Sequence, residues 1–349
     1  KLMTNSVYIC SYFINFNYSE TKNGIFNSSF WNCLPQELNK MNYKVNWMHH
    51  LILNNQFKEP KRASYLLSKI NKNTKKLEIH NFLESYLDLQ IIVKVFFLWL
   101  KCIYLSYKTK TVKHFFKSKN SNINFWILLK DEWKSSLYGK DSIHNLFMLE
   151  LFLKYFKVLP IQKIGIYLYE NQPWEMAMLY SWKKFQKAPI IGFAHATVPY
   201  WHLYYYNHKN FYYNLQTKIP QPDYVALNGK FAISNFKMSG FPQNKIVSVE
   251  ALRYLNNNYE NETYQIKKNK RILIVGEMHK ESMEFMYTIL EDAKSFFKKN
   301  NYDIGIKYHP SNILNFKDKK NIICKQETLP LEEIFYKYDI IICGNSTSA

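Results

Sequence analysis

The stretch DIGIKYHP, residues 303–310, decides the fold class of this chain. Its apolar residues have the length and composition of a buried strand, and Pro310 ends that strand because proline cannot donate to the hydrogen-bond ladder. His309 is thereby left at the carboxyl end of the strand. Ligands of an open α/β sheet bind outside the carboxyl ends of its strands. The stretch therefore predicts a parallel α/β unit with a binding site near His309.

Further apolar runs extend this unit in both directions. RILIVG (271–276) predicts its first strand and DIIIC (339–343) its last, with a short strand at NIIC (321–324). Helices are predicted from Glu281 to Lys299 and from Leu331 to Tyr338. This alternation of strands and helices is typical of a parallel sheet with helical crossovers.

The first part of the chain shows the same rhythm. Strands are predicted at 6–16, 43–51, 164–169, 189–193 and 224–227, and helices at 31–41, 86–107 and 173–185. Proline is favoured at the first helical position, which suits Pro173. The sequence thus predicts two Rossmann-like units, residues 1–255 and 271–349, facing a cleft and joined by the polar linker 256–270.

The ends of the sequence support a further prediction, which concerns the second unit. It begins with Lys1 and stops at Ala349, directly after a predicted strand and a Ser-Thr-Ser turn. A parallel sheet needs a crossover after such a strand. We therefore expect the second unit to be truncated.

Composition narrows the class of protein. The hydrophobic share of 47% and the aromatic share of 17% are those of a folded chain. The net charge is +20, yet only three of the 47 basic residues are arginine, the residue that base readers favour. We therefore expect no nucleic-acid partner, although the basic surface suits anionic lipid or an anionic donor. Five cysteines without a CxxC pair indicate free thiols and a cytoplasmic location.

Polar residues follow the strands of the second unit. His309 can donate to a phosphate oxygen, or protonate it as a sugar leaves, and Lys307 points to the same face of the strand. Ser346, Thr347 and Ser348 follow DIIIC, and their hydroxyls with the free N–H groups of a following helix would form an anion site. The alternatives are a surface histidine that caps a strand and serines that only cap a helix.

Two acidic positions belong to the same prediction. Glu333 would lie in the first turns of a helix that starts after Pro330, where a carboxylate can bind both hydroxyls of a ribose. Its alternative is a solvated helix glutamate. Gly276 and Glu277 follow the first strand of the unit, where a glycine lets the backbone approach a ligand closely. Together these clusters favour a site for a nucleotide phosphate and its ribose.

In the first unit, Glu170 and His195 each come just after a predicted strand. Both are candidates for the general base that deprotonates an acceptor hydroxyl, and Glu175, on the next helix, is a lesser candidate. The alternatives are that Glu170 merely caps the helix opened by Pro173 and that His195 is a hydrogen-bonded core histidine.

The apolar stretch IIVKVFFLWLKCIYL (91–105) has about 15 residues, fewer than the ~20 of a spanning helix. Lys94, Lys101 and Lys108 recur on one helical face. The pattern fits a helix that lies in a membrane interface, or a domain helix with a solvated lysine stripe.

The K-x-H-P strand end, Glu333 and the downstream serines resemble the nucleotide site of bacterial GT-B glycosyltransferases that use CMP-activated sugars, the sialyl- and Kdo-transferases. The wider chain is similar to proteins of bacterial surface-carbohydrate biosynthesis (O-antigen, capsule, lipopolysaccharide). The stretches that carry this similarity are NGIFNSSFWNCL (23–34), ENQPWEMAM (170–178), FAHATVPYW (193–201), PDYVALNG (222–229) and VEALRYL (249–255).

The resemblance implies a GT-B-like fold and a set of roles. Lys307 would approach the cytosine, Glu333 the ribose, and His309 with Ser346 and Ser348 the phosphate. The chain lacks the Asp/Glu-Asp/Glu-Gly base motif of the sialyltransferases, so the base stays open between Glu170 and His195.

The implied activity is transfer of a sugar from a CMP-sugar to a surface-polysaccharide or lipid-linked acceptor. The first unit would hold the acceptor, and neither a metal nor a cofactor is expected. Peripheral contact with the inner face of the cytoplasmic membrane is a further expectation. Alternatives are a CDP-glycerol or CDP-ribitol transferase, a transferase that uses UDP- or GDP-sugars, and a non-catalytic basic protein that binds membrane or nucleic acid.

Overall fold

The chain divides into two compact units, Lys1–Asn256 and Asn257–Ala349. The computed structural model describes residues 2–54, 57–74, 77–117, 122–196, 198, 202–207, 219–255, 271–277, 280–309, 324–329 and 331–344. The predicted linker, 256–270, lies outside these residues.

In the described part of the first unit, seven parallel strands form one sheet in the order β3-β2-β1-β4-β5-β6-β7. The central strands β1 and β2 are buried on both faces, as parallel strands covered by helices must be. The strands are β1 (Val7–Tyr12), β2 (Val45–His50), β3 (Glu78–Phe82), β4 (Ile164–Leu168), β5 (Ile190–Phe193), β6 (Tyr224–Asn228) and β7 (Ile246–Val249).

The helices of the first unit connect these strands or pack on them. They are α1 (Tyr18–Lys22), α2 (Leu34–Lys40), α3 (Pro60–Asn73), α4 (Leu89–Ser106), α5 (Trp126–Tyr138), α6 (Lys140–Val158), α7 (Pro173–Phe185) and α8 (Lys230–Met238). Asp88 caps α4, since its carboxylate accepts the N–H of Ile91 at 2.9 Å. A 3-10 segment, Tyr107–Phe116, continues from the end of α4.

The alternating side chains of β1 separate two cores. Tyr8 and Cys10 belong to a cluster that includes Phe152 of α6 and Trp182 of α7. Val7 and Ile9 face the other side, against Trp31 and Trp47. Apolar side chains therefore cover both faces of the sheet, although β2 also buries polar side chains, among them Asn46 and His49.

The second unit has a smaller parallel sheet. Its described strands are β8 (Arg271–Val275), β9 (Asp303–Lys307), β10 (Lys325–Gln326) and β11 (Ile340–Cys343), in the order β10-β9-β8-β11. Helices α9 (Lys280–Asp292) and α10 (Lys294–Lys299) connect β8 to β9. Ile272 and Ile274 pack against Met283 and Tyr287 of α9.

The α/β class with two parallel, Rossmann-like sheets is confirmed, and so are the predicted strands that became β1, β2, β4, β5, β6, β8, β9 and β11. Two observed strands, β3 and β7, were not predicted. In β3, EIHNF, the polar residues hide the apolar signal, and β7 is a short, largely exposed edge strand.

The predicted short strand at 321–324 lies outside the described residues except for Cys324, which directly precedes β10. Two other predictions for the second unit need correction. The helix expected from Leu331 to Tyr338 is two 3-10 turns, Leu331–Glu333 and Phe335–Lys337. The fully buried Ile334 between them packs against β8, and so few residues do not sustain an α-helix on their own. The helix expected from Glu281 to Lys299 is divided at Ala293 into α9 and α10.

Candidate active site

The strand order places a topological switch point between β1 and β4. From β1 the chain proceeds outward to β2 and β3, and from β4 it proceeds in the opposite direction to β7. Ligand sites of open α/β sheets lie at such points, beyond the carboxyl ends of the two strands. Tyr12 ends β1, and Glu170 follows β4.

Tyr12 and Glu170 are hydrogen-bonded across this point. The tyrosine hydroxyl donates to Oε2 of Glu170 at 3.0 Å and accepts the indole N–H of Trp174 at 3.0 Å. Burial raises the pKa of the Glu170 carboxyl, and the bond from Tyr12 opposes that rise. Burial likewise raises the pKa of Tyr12, so its hydroxyl stays protonated and remains a donor.

The structure brings the two predicted base candidates together. Nε2 of His195, which follows β5, lies 3.6 Å from Oε1 of Glu170. Burial, reinforced by the positive charge of Arg253, lowers the pKa of His195 to about 4. Near neutral pH the pair is therefore a carboxyl group beside an uncharged imidazole. The ring packs edge-on against Phe30, with centroids 4.6 Å apart.

Exposure separates the two candidates. The side chain of Glu170 is 29% exposed and that of His195 only 7%. Within the described ranges, Nδ1 of His195 has no hydrogen-bond partner. Of the two side chains, that of Glu170 is therefore the more accessible to solvent at the switch point.

A different glutamate caps helix α7. Oε1 of Glu175 accepts the N–H groups of Glu170 at 2.9 Å and Gln172 at 2.8 Å. Asn171 between them has a φ of 55°, a left-handed conformation that asparagine tolerates better than most residues. Burial raises the pKa of Glu175 to about 8. The idea that Glu170 caps this helix is therefore wrong, because its carboxylate bonds Tyr12 instead.

The second unit has its own switch point, between β8 and β11. Gly276 and Glu277 follow β8, and Gly344 follows β11. A Cβ atom on Gly344 would lie only 1.3 Å from Oε1 of Glu277, so this carboxylate lies directly over the glycine. Gly276 donates its N–H to the Lys307 carbonyl at 2.7 Å. A Cβ on Gly276 would lie 3.2 Å from the backbone nitrogen of His309.

His309 and Lys307 lie at the neighbouring strand end. His309 follows β9 and is half-buried, which lowers its pKa. Nζ of Lys307 donates to the carbonyls of Thr328 and Leu329, so this ammonium holds the loop that follows β10.

The remaining predicted site residues are Glu333 and the three hydroxyl residues that follow β11. Glu333 is exposed and lies in a 3-10 turn instead of the expected α-helix. Ser346, Thr347 and Ser348 lie outside the described residues. In the ranges that the structure describes, no three His, Cys, Asp or Glu side chains are grouped so as to hold a metal ion.

Sequence reasoning missed Tyr12 and Trp174. In the sequence pattern Tyr12 is only part of an apolar strand, and Trp174 only lies at the start of a helix. The available signal was positional, since each lies at a strand end or helix start that borders the switch point.

No protein-family model matches the sequence, and neither does any curated protein. The solved structures that resemble the chain include the UDP-GlcNAc 2-epimerase from Methanocaldococcus jannaschii, with a TM-score of 0.46 and 13% identity over 97% of this chain and 78% of that one. A glycosyltransferase from Rickettsia africae ESF-5 has a TM-score of 0.44 and 12% identity over 97% and 73%. The wall teichoic acid polymerase TagF has a TM-score of 0.36 and 12% identity over 99% and 67%. At these TM-scores and identities the similarity does not indicate a function, so the function is inferred from the site alone.

Proposed function

We propose that the chain is a glycosyltransferase that moves a sugar from a CMP-activated donor to a surface-polysaccharide or lipid-linked acceptor. The observation that carries this proposal is the partly exposed Glu170 carboxyl, hydrogen-bonded to Tyr12 at a topological switch point and beside a neutral His195. A carboxyl group held in this way suits proton abstraction from an acceptor hydroxyl.

Glu170 is the proposed general base. Its raised pKa makes it a stronger base than an ordinary glutamate while it is ionised. Oε2 is bonded to Tyr12, and Oε1 is the oxygen on the His195 side. His195 is too enclosed to touch an acceptor directly, so we assign it a positioning role against the carboxylate.

The second unit is the proposed nucleotide site. Gly276, Glu277 and Gly344 border the switch point there, and His309 follows the adjacent strand. The Glu277 carboxylate, which lies over Gly344, can accept hydrogen bonds from ribose hydroxyls. His309 can donate to the phosphate that leaves with the nucleotide, without a metal being required.

Lys307 and Glu333 have a supporting part in the proposal. With its ammonium bonded to Thr328 and Leu329, Lys307 fixes the loop beside which a base would lie. Glu333 is exposed in a 3-10 turn, and we assign its carboxylate to a ribose hydroxyl. Ser346, Thr347 and Ser348 would complete the phosphate site.

Thermal denaturation with CMP, CDP, UDP and GDP tests the donor class. A ligand that binds only the native state at a hundredfold excess over Kd stabilises it by about 2.7 kcal/mol. We expect stabilisation by CMP, and its loss in Glu277→Gln and His309→Ala. Stabilisation by UDP or GDP but not by CMP would overturn the CMP assignment, and no response to any nucleotide would overturn the transferase proposal.

CMP is also the leaving product when a CDP-alditol donates its alditol phosphate. Donor turnover separates the two reactions, because CMP-sugar cleavage breaks the bond between the sugar carbon and the phosphate oxygen. We expect CMP release from CMP-sialic acid or CMP-Kdo in the presence of acceptor and none from CDP-glycerol. Release from CDP-glycerol alone would assign the chain to polyol-phosphate transfer instead.

A further inference from the structure

Helix α4 is apolar on the side that faces solvent. Ile91 and Val95 are buried in the core shared with α6. The opposite side exposes Leu89 by 71%, Phe97 by 63% and Tyr104 by 64%. We call the whole set the apolar stripe: Leu89, Ile92, Val93, Phe96, Phe97, Leu100 and Tyr104, each more than a third exposed. A helix on the surface of a soluble domain ordinarily carries polar residues there.

The charged residues of the segment that carries the apolar stripe have one sign. Residues 89–117 contain six lysines, at 94, 101, 108, 110, 113 and 117, and no aspartate or glutamate. Lys94 is paired with Glu150 of α6 at 2.7 Å, whereas Lys101 and Lys108 are exposed beside the stripe. Long lysine stems can lie along an apolar surface while their ammonium groups reach the charged layer above it.

Exposed apolar residues continue beyond α4. Tyr107 and Phe115 of the following 3-10 segment are 63% and 85% exposed. The first turn of α5 exposes Ile127 by 73% and Leu128 by 72%. An exposed apolar patch of this extent on a folded unit marks a surface that another molecule covers when the protein functions.

We propose that the apolar stripe and its lysines dock the protein on an anionic lipid bilayer, with α4 lying along the membrane surface. The combination of an apolar face, exposed aromatic rings and a segment whose charged residues are all lysines is the pattern of an interfacial helix. Anionic lipid is the partner whose charge complements the lysines of residues 89–117 other than Lys94, which Glu150 already pairs.

The contacts of α4 favour a helix that lies on the membrane over one that crosses it. Among the described residues, one helical segment, Leu89–Thr109, is long and apolar enough to cross a bilayer, so the sequence-based length of 15 was too short. Yet the Lys94–Glu150 ion pair holds the second turn of this helix to α6. Asp88 pairs with Lys154, and the indole N–H of Trp99 donates to the Tyr138 carbonyl at 2.7 Å. Crossing would require these charged contacts to break or to enter hydrocarbon.

The inference is independent of the proposed catalytic activity, since lipid binding needs neither nucleotide nor Glu170. If both hold, docking would bring the first unit to a surface where lipid-linked acceptors reside. Failure of nucleotide binding would leave the lipid result unchanged, so the two proposals fail separately.

The test is co-sedimentation of the full chain with vesicles of phosphatidylcholine, with and without phosphatidylglycerol. We expect binding to the anionic vesicles that weakens as salt is raised, because screening reduces the lysine contribution. Phe96→Ser combined with Phe97→Ser should lower the partition coefficient at least about tenfold. Lys101→Glu combined with Lys108→Glu should abolish the preference for anionic vesicles, and it tests the proposal even if the phenylalanine variant misfolds.

The matched control is Phe285→Ser combined with Phe296→Ser in the second unit. These phenylalanines are 68% and 56% exposed, similar to the 51% and 63% of Phe96 and Phe97. Vesicle binding by this control should equal that of the unaltered chain. Equal loss in both phenylalanine pairs, or no binding by the unaltered chain, would overturn the proposal. So would a dimer in sedimentation velocity that only the Phe96 and Phe97 substitutions break, because a second copy would then be the occupant of the stripe.

Discussion

The hydroxyl of Tyr12 donates a 3.0 Å hydrogen bond to Oε2 of Glu170, a residue 158 positions away in the chain. Because β1 and β4 are adjacent and parallel, their carboxyl ends bring the two side chains together. The bond joins the two sides of the switch point and fixes one oxygen of the carboxyl group. It is the relationship on which the proposed chemistry depends most directly.

Replacing Glu170 by glutamine tests the base. We expect Glu170→Gln to lower turnover by roughly 10²–10⁴-fold, the usual contribution of a positioned acid or base, while nucleotide-induced stabilisation is unchanged. Steady-state kinetics of sugar transfer give the measurement. Glu132→Gln, at an exposed position of α5, is the control and should be fully active. Near-normal transfer by Glu170→Gln would exclude this carboxyl as the base.

Removing the Tyr12 hydroxyl should affect both stability and the pH profile. In Tyr12→Phe the buried indole N–H of Trp174 loses its acceptor, so we expect the free energy of unfolding to fall by about 1–3 kcal/mol. The bond from Tyr12 lowers the pKa of Glu170, so its loss should move the acid limb of the pH–rate profile to higher pH. Denaturant titration and pH-dependent kinetics measure the two effects. Tyr65→Phe, 47% exposed, should change neither, and an unmoved acid limb in Tyr12→Phe would contradict the proposed coupling.

Glu175 should make stability fall as pH rises. Burial raises its pKa from 4.5 to about 8, so between these values the native state keeps a proton that the unfolded chain has lost. The native state then binds more protons, and the free energy of unfolding decreases through this window by on the order of a few kcal/mol. Glu175→Gln retains an oxygen acceptor for the N–H groups of Glu170 and Gln172 and should not show this decrease. Thermal midpoints at several pH values compare the two. Parallel pH profiles for the variant and the unaltered chain would show that the carboxyl is not protonated in the fold.

Gly344 offers a test of the Glu277 position. A Cβ at Gly344 would overlap the Glu277 carboxylate, which lies at the end of a flexible side chain and can move away. We therefore expect Gly344→Ala to change the melting temperature little but to weaken CMP binding about tenfold, the loss of one charge-assisted hydrogen bond. Calorimetric titration with CMP is the measurement. Gly139→Ala, in the first unit, is a glycine control for general strain and should leave the affinity for CMP unchanged.

The His309 prediction concerns the leaving phosphate. His309→Ala should reduce turnover by roughly 10²–10³-fold, the cost of losing one donor to developing charge. His114→Ala, at an exposed position in the first unit, should be as active as the unaltered chain. Transfer assays under saturating donor separate this effect from weaker binding. Similar rates for both variants would remove His309 from the mechanism.

Much of the strand framework could be predicted from local sequence. Short apolar runs with polar ends, such as RILIV and DIGIK, predict buried strands because burial on both faces demands continuous apolar residues. Glu170, His195 and His309 could be predicted as site candidates because each lies just beyond such a strand. The segment Leu331–Tyr338 could not, because its conformation depends on the burial of Ile334 against another strand.

The amino-acid sequence alone determined where the central strands lie and which polar groups stand at their ends, because apolar periodicity is a property of neighbouring residues. Only the tertiary structure decided that Tyr12 bonds Glu170 while Glu175 caps α7, since both depend on which strands are adjacent. It also decided which side of α4 is buried, because an apolar helix becomes a docking surface only once α6 has covered its other face.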